Sequence, residues 1–437
     1  MSRKPLLPRG FRDYPPSVML TRLRVIESIR KIFQLHGFPP MDTPVVELWE
    51  TLSGKYGEEA ESLLIWRFQD PYSKRWYGLR YDLTVPLARY IAMHPETPLP
   101  FKRHQIALVW RHEEPQHMRY REFVQADVDV VGSPYPEADA EVLSAVQHAL
   151  EYVGIPDVFV RLSHRKLLKA VFEKELGLAN PTPVYRIIDK LDKIGVKGVE
   201  QELKRLGMSD ATISRILRLI DTRAKGLDGV DALRTISSAA VVSAALNELK
   251  EIIELSYKPE KIVVDLSLVR GLDYYTGPIM EFQLEKESGP SLAGGGRYDD
   301  LIGLFRPQGS LPATGCSIGV ERVLDVLLER GGTKPGVETT SKVLVVYLES
   351  ELFKYAWSIA FKLRQHGIPA EIDLLRRAES KQRRRASSLN IPYVLIIGRH
   401  EASTGRFALY CRETKERLEL GFEELVNFLK SVVQNGD

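Results

Sequence analysis

Between Leu167 and Leu255 the chain changes texture: Leu, Ile, Lys and Glu recur at helical spacing, as in VEQELKRLG, ATISRILRLI and AALNELKEIIEL. Strand-like runs lie on both sides of this block, and that placement constrains the fold more than any other feature. WYGLRYD, IALVWRHE and REFVQADVDVVG come before it, short and alternating, as strands of a mostly antiparallel sheet should be. KIVVDLSLVRGLDYYTGPIMEFQL resumes the pattern after it. A sheet assembled from both sides must carry the block as an insertion. The expectation is therefore an α+β domain over residues 1–330, an antiparallel sheet flanked by helices, interrupted by a helical insertion at about 165–258.

Helices frame this sheet at both ends. TRLRVIESIRKIFQLHG places Leu23, Ile26, Ile29 and Phe33 on one face and stops at Gly37. GVERVLDVLLERGG does the same with Val320, Val323, Leu324, Leu327 and Leu328, with Gly331 as its stop. The polar segment TKPGVETTS then reads as a linker at 331–341. Beyond it, VLVVYL, AEIDLL and YVLIIG alternate with LFKYAWSIAFKLRQHG and ESKQRRRASSL, predicting a small α/β domain over 342–437 with FALYC and RLEL as edge strands.

The net charge of +3 hides an uneven distribution, for RRAESKQRRR at 376–385 holds six cations against one anion. Such a run is either a phosphate-binding patch or a solvated helix face. Cys316 and Cys411 are the only cysteines, without CxxC spacing, so neither a disulfide framework nor a cysteine-rich zinc site is expected. Cys316, among Gly, Ser and Ile, reads as a small packed residue. No apolar run is long enough to span a bilayer, and the basic start has no apolar signal core behind it. A cytoplasmic protein without membrane association is the expectation.

Chemistry concentrates in the centre. In VWRHEEPQHMRYREFVQADVD, Arg111, Arg119 and Arg121 alternate with apolar or aromatic residues. Arginines so placed can hold a triphosphate bidentately, with Phe123 stacking on a base; a salt-bridged surface hairpin is the alternative. RGLDYYTG sets Arg270 beside a strand, and AGGGRYDDL brings the backbone of Gly294 to Gly296 close to something, as a ligand loop or a bulged strand. Tyr274, Tyr275 and Tyr298 suit core positions with satisfied hydroxyls. These residues describe a polar, arginine-lined cleft without naming its substrate.

RYDLTVPLARY, WRHEEPQHMRYREFVQ, RGLDYYTG, AGGGRYDDL and GCSIGVERVL occur in the order found in histidyl-tRNA synthetases, and the chain resembles that family over nearly its whole length. RGLDYYTG joined to AGGGRYD is specific to the group, whereas the GVER segment is shared by all class II synthetases. The resemblance implies a class II catalytic domain, a C-terminal anticodon-binding domain and a homodimer with the segment around Pro44 at its interface. It implies ATP with Mg2+, L-histidine and tRNA(His) as the molecules bound, and no zinc.

Carried over by motif, Arg111 and Arg270 resemble the catalytic pair on either side of the α-phosphate. Glu113 would receive the adenine amino group, Phe123 stack on its ring, and Arg119 and Arg322 hold the far phosphates and cover the adenine. Asp82, Leu83, Thr84 and Gln125 match the segment that receives the α-ammonium. Asp129 and Tyr275 match positions that hydrogen-bond the imidazole, with Tyr274 and Tyr298 lining it. Gln116 and Arg383, Arg384 and Arg385 would meet tRNA. Glu114 stands where bacterial members commonly have arginine, and Met118 where glycine is common. The alternatives are a histidine-sensing regulatory paralogue of ATP phosphoribosyltransferase, a synthetase for glycine, proline or threonine, and an RNA-binding module without activity. Arg111, Arg270 and the region from Lys342 onward disfavour the first, RGLDYY the second and the phosphate arginines the third.

Overall fold

From Phe101 to Val131 the chain runs out and back as two ten-residue antiparallel strands, Phe101–Trp110 and Glu122–Val131. Strict alternation explains the second strand. Val124, Ala126, Val128 and Val130 enter the main core, while Phe123, Gln125, Asp127 and Asp129 face the other way. This computed structural model describes residues 5–56, 63–221, 223–234, 239–269, 275–285, 289–306, 309–331 and 339–434. The chain divides into two compact units, residues 1–12 with 22–330, and residues 13–21 with 331–437.

In the larger unit the hairpin forms one edge of an eight-stranded sheet. Its next strands are Ala313–Gly319, Ala293–Arg297, Pro278–Leu284, Val158–His164, Ile262–Asp265 and Arg223–Lys225. Every pairing is antiparallel except that of Val158–His164 with Ile262–Asp265. The sheet is thus built from both sides of the helical insertion, which leaves after His164 and returns at Ile262. The insertion is held by apolar stripes: Ile213, Ile216 and Ile220 on one helix, and Val242, Leu246, Leu249 and Ile253 on another, join the main core. Its strand Arg223–Lys225 caps the sheet edge. WYGL forms a strand, Trp76–Leu79, but in a separate three-stranded sheet with Val46–Leu48 and Arg67–Gln69.

The smaller unit has five strands in the order Ala370–Ile372, Val343–Tyr347, Tyr393–Ile397, Arg406–Cys411 and Arg417–Gly421, the first three parallel. VLVVY is buried throughout because both its faces are covered. Val343 and Val345 pack with Ile359 and Leu363, whereas Leu344 and Val346 pack with Ala386 and Ile391.

Candidate active site

A cavity of about 1300 Å³ opens on the face of the large sheet presented by Phe123, Gln125, Asp127 and Asp129. Its two ends carry opposite charge.

Arg111, Arg119 and Arg322 line the basic end. Arg111 follows Trp110 directly, where the loop joins the two strands of the hairpin, and its amide donates to the Arg121 carbonyl at 3.0 Å. Its Nε donates to the Tyr81 carbonyl at 3.1 Å, and its guanidinium lies 4.4 Å from the Tyr81 ring centre and 5.4 Å from that of Phe123. Arg119 faces the Glu113 carboxylate at 3.4 Å, and its backbone pairs with Gln116 across the turn. Met118, inside that turn, adopts φ 56, a left-handed conformation that glycine would enter more easily. Arg322 donates to the Met118 carbonyl at 3.2 Å and the Ser291 carbonyl at 2.6 Å. Its position is set by Glu321, buried with one oxygen on the Val124 amide at 2.7 Å and the other on Arg22 at 2.6 Å. Burial, and then the like charges of Arg111 and Arg119, push Arg322 down to about 10. Three guanidiniums close enough to repel call for a polyanion between them.

Asp82, Asp127 and Asp129 make the acidic end. Asp82 stands before the helix Thr84–Met93 and accepts the amides of Thr84 and Val85 at 3.1 and 3.0 Å and the Tyr56 hydroxyl at 3.1 Å. That helix is anchored by buried Val85, Leu87 and Ile91. Leu83 is buried beneath the cavity, and its carbonyl accepts Arg103 at 3.1 Å. Asp129 accepts the Tyr298 hydroxyl through Oδ1 and meets Arg103 through Oδ2 at 2.7 Å. Gln125 donates to the Ser317 hydroxyl at 2.8 Å. Tyr275 lines the same end, and burial pushes its phenol up.

The triple glycine is a regular strand, Ala293–Arg297, between two others. A Cβ on Gly296 would come within 2.9 Å of the Tyr275 ring, and one on Gly315 within 2.0 Å of Asp129 Oδ1. The glycines make room for the side chains of the acidic end.

Of the residues singled out in the sequence, Asp82, Thr84, Arg111, Glu113, Gln116, Arg119, Phe123, Gln125, Asp129, Tyr275, Tyr298 and Arg322 all line this one cavity. Arg270 and Tyr274 lie outside the described residues. Arg383, Arg384 and Arg385 belong to the other unit, on the helix Glu379–Ser388. There Arg383 pairs with Glu379 at 2.7 Å and Arg385 with Glu371, while Arg384 is exposed. Sequence reasoning passed over Arg103, Asp127 and Ser317. The alternation that puts Asp127 on the face of Gln125 and Asp129 was the available signal.

A family model described as histidyl-tRNA synthetase matches residues 10–323, and one described as anticodon binding domain matches residues 342–432. The histidine–tRNA ligase of Aeropyrum pernix is 51% identical over 431 residues, covering 98% of this chain and 99% of the relative. That of Korarchaeum cryptofilum is 49% identical over 424 residues, covering 97% and 98%. The crystal structure of histidyl-tRNA synthetase from a Nostoc species superposes with a TM-score of 0.85 at 29% identity, covering 99% of this chain and 100% of that one. With both of its folded regions matched and relatives of this identity aligned almost end to end, the chain belongs to the histidyl-tRNA synthetase family.

Proposed function

We propose that the chain activates L-histidine with ATP to histidyl-adenylate and transfers the histidyl group to the 3′ end of tRNA(His). The observation that carries this reading is the polarity of one cavity, with three arginines at one end and three aspartates, two of them buried, at the other. A nucleoside triphosphate and an amino acid with an ammonium and a ring N–H fit those ends, and their reacting groups would meet between them.

In the first step the histidine carboxylate attacks the α-phosphorus in line and pyrophosphate leaves. In the second, the terminal ribose hydroxyl of the tRNA attacks the adenylate carbonyl and AMP leaves. The attacking carboxylate is already ionised, so activation needs no general base. Arg111 clamps the α-phosphate, and Arg270 is assigned its opposite side by the family motif. A positioned donor of this kind is worth about 10²–10³ in rate. Glu113 takes the adenine amino group, Phe123 stacks on the ring, and Arg119 and Arg322 hold the outer phosphates and cover the base. Asp82, Thr84 and Gln125 receive the α-ammonium, and the backbone at Leu83 fixes their segment. Asp129, Tyr275 and Tyr298 form the ring pocket, to which the family motif also assigns Tyr274. Committed polar groups of this kind reject apolar isosteres far better than a shaped cavity does.

Among the described residues no group of three His, Cys, Asp or Glu side chains is placed to hold a metal. Glu113 and Glu281, which line the cavity, are the protein carboxylates that would hold a Mg2+ ion accompanying the triphosphate. The chemistry such an ion would supply there is neutralisation of charge on the outer phosphates. Gln116 at the cavity turn, and Arg383, Arg384 and Arg385 in the smaller unit, are the tRNA contacts of this reading. A homodimer is supported by exposed Val46, Leu48 and Phe68 on the small sheet, an apolar surface next to Pro44. No helix among the described residues is long and apolar enough to cross a membrane, and the reaction belongs with the cytoplasmic translation apparatus. Incubation with labelled histidine, ATP and a tRNA(His) transcript tests the whole reaction. Acid-precipitable histidine is the expected result, and its absence with active tRNA contradicts the reading.

A further inference from the structure

Residues 9–12, near the start of the chain, are seated on the turn that joins the two hairpin strands. The Gly10 carbonyl accepts the Arg121 amide at 2.9 Å, and Arg121 Nε donates to the Glu113 carbonyl, also at 2.9 Å, on the other side of the turn. Gly10 has φ 86, and a Cβ there would come within 2.8 Å of Arg121 Cγ and 2.9 Å of Pro115 Cγ. Glycine is what lets the segment approach this closely. Phe11 packs edge-on against Trp66, ring centres 6.2 Å apart, and Trp66 in turn against His112 at 4.8 Å.

Arg12 then closes a triangle. Its Nη1 donates to the Tyr120 hydroxyl and to Asp325 Oδ1, both at 2.8 Å, and the Tyr120 hydroxyl donates to Asp325 Oδ2 at 2.7 Å. The guanidinium also lies 4.2 Å from the Tyr120 ring centre. Tyr120 follows Arg119 in the turn, and Asp325 lies nearly one helical turn beyond Arg322 on the helix Val320–Glu329. Asp325 is buried, so its oxygens depend on the donors they have. One side chain that does not line the cavity thus sets the spacing of Arg119 from Arg322, which do. A turn free to move would have to be ordered each time a ligand bound, and the triangle removes that cost.

We propose that Arg12 is a positioning residue for ATP, holding the turn of Glu113 and Arg119 at a fixed distance from Arg322 so that the phosphates meet a preformed site. This rests on the proposed function, and the arms of the test keep the two apart. Histidine-dependent exchange of labelled pyrophosphate into ATP is measured for the wild type, Arg12→Gln, Arg12→Lys and Tyr120→Phe, varying ATP and histidine separately. Arg12→Gln should raise the KM for ATP about fivefold and leave that for histidine within about twofold. Arg12→Lys keeps the charge without the planar fork and should recover part of the loss. Tyr120→Phe keeps the ring and removes the hydroxyl. It should move the ATP KM in the same direction, and it decides the matter if Arg12→Gln does not fold. A cycle with Arg322→Ala supplies a readout that a merely structural role would not move. Once Arg322 is gone Arg12 has little left to position, so adding Arg12→Gln to Arg322→Ala should raise the ATP KM by less than about twofold more. An unchanged ATP KM in the folded variants, equal losses for ATP and histidine, or full additivity in the cycle overturns the proposal. No exchange by the wild type would instead overturn the function on which it rests.

Discussion

The Arg103 guanidinium stands 2.7 Å from the Asp129 carboxylate, and both side chains are sealed from water. The pairing follows from register, since Arg103 lies opposite Asp129 in the hairpin. Removing one member strands the other in a poorly solvated site. Arg103→Met should therefore cost about 3–5 kcal/mol in denaturant unfolding. Adding Asp129→Asn should cost less than the sum of the two single changes. A loss below about 1 kcal/mol for Arg103→Met contradicts the pairing.

Arg322 is held by two carbonyls beside Arg111 and Arg119, like charges that Glu113 and Glu281 offset only in part and a bound polyanion would relieve further. Arg322→Ala should raise the KM for ATP about tenfold or more and leave histidine affinity within about twofold. Calorimetric titration of each ligand separates the effects. Equal losses would mean that Arg322 supports the cavity as a whole.

Much of this was legible in the sequence, for identifiable reasons. Alternation over REFVQADVDVV fixes both the strand and the face that carries Gln125 and Asp129. VLVVY, apolar at every position, identifies a strand covered on both faces. Arg223–Lys225 was not legible, because three residues reading RAK carry no periodicity. The separate sheet containing Trp76–Leu79 was missed because periodicity says nothing about which strands pair. The setting of Asp129 depends on Arg103 and Tyr298, which come from distant segments and meet only in the fold.

Glu141 gives a pH signature. The His36 hydrogen bond, opposed by burial and reinforced by Lys102, holds its carboxyl down to about 2 from an ordinary 4.5. A lowered carboxylate contributes stability above its unfolded value and loses it as pH falls toward the folded one. The side chain is about a third exposed, so screening limits the contribution to about 1 kcal/mol. Glu141→Gln should thus lower the unfolding free energy by about 1 kcal/mol at pH 7 and by much less near pH 3. The same difference at both pH values contradicts this account.

In the smaller unit Arg383 and Arg385 are tied to glutamates, whereas Arg384 has no ion-pair partner among the described residues. Arg384→Ala should raise the KM for tRNA several-fold and flatten its salt dependence by about 0.7 in log–log slope. Adenylate formation should be untouched. An unchanged KM and slope would leave the helix Glu379–Ser388 as a solvated face.

The central claim, that the two ends of one cavity bring ATP and histidine together, is tested most directly by histidine-dependent exchange of labelled pyrophosphate into ATP. The assay needs only the purified chain and Mg2+, with glycine, proline and threonine as controls. Exchange with histidine alone is the predicted result. No exchange with any of the four, from folded protein that still binds histidine, would contradict it and favour a histidine-sensing regulatory protein.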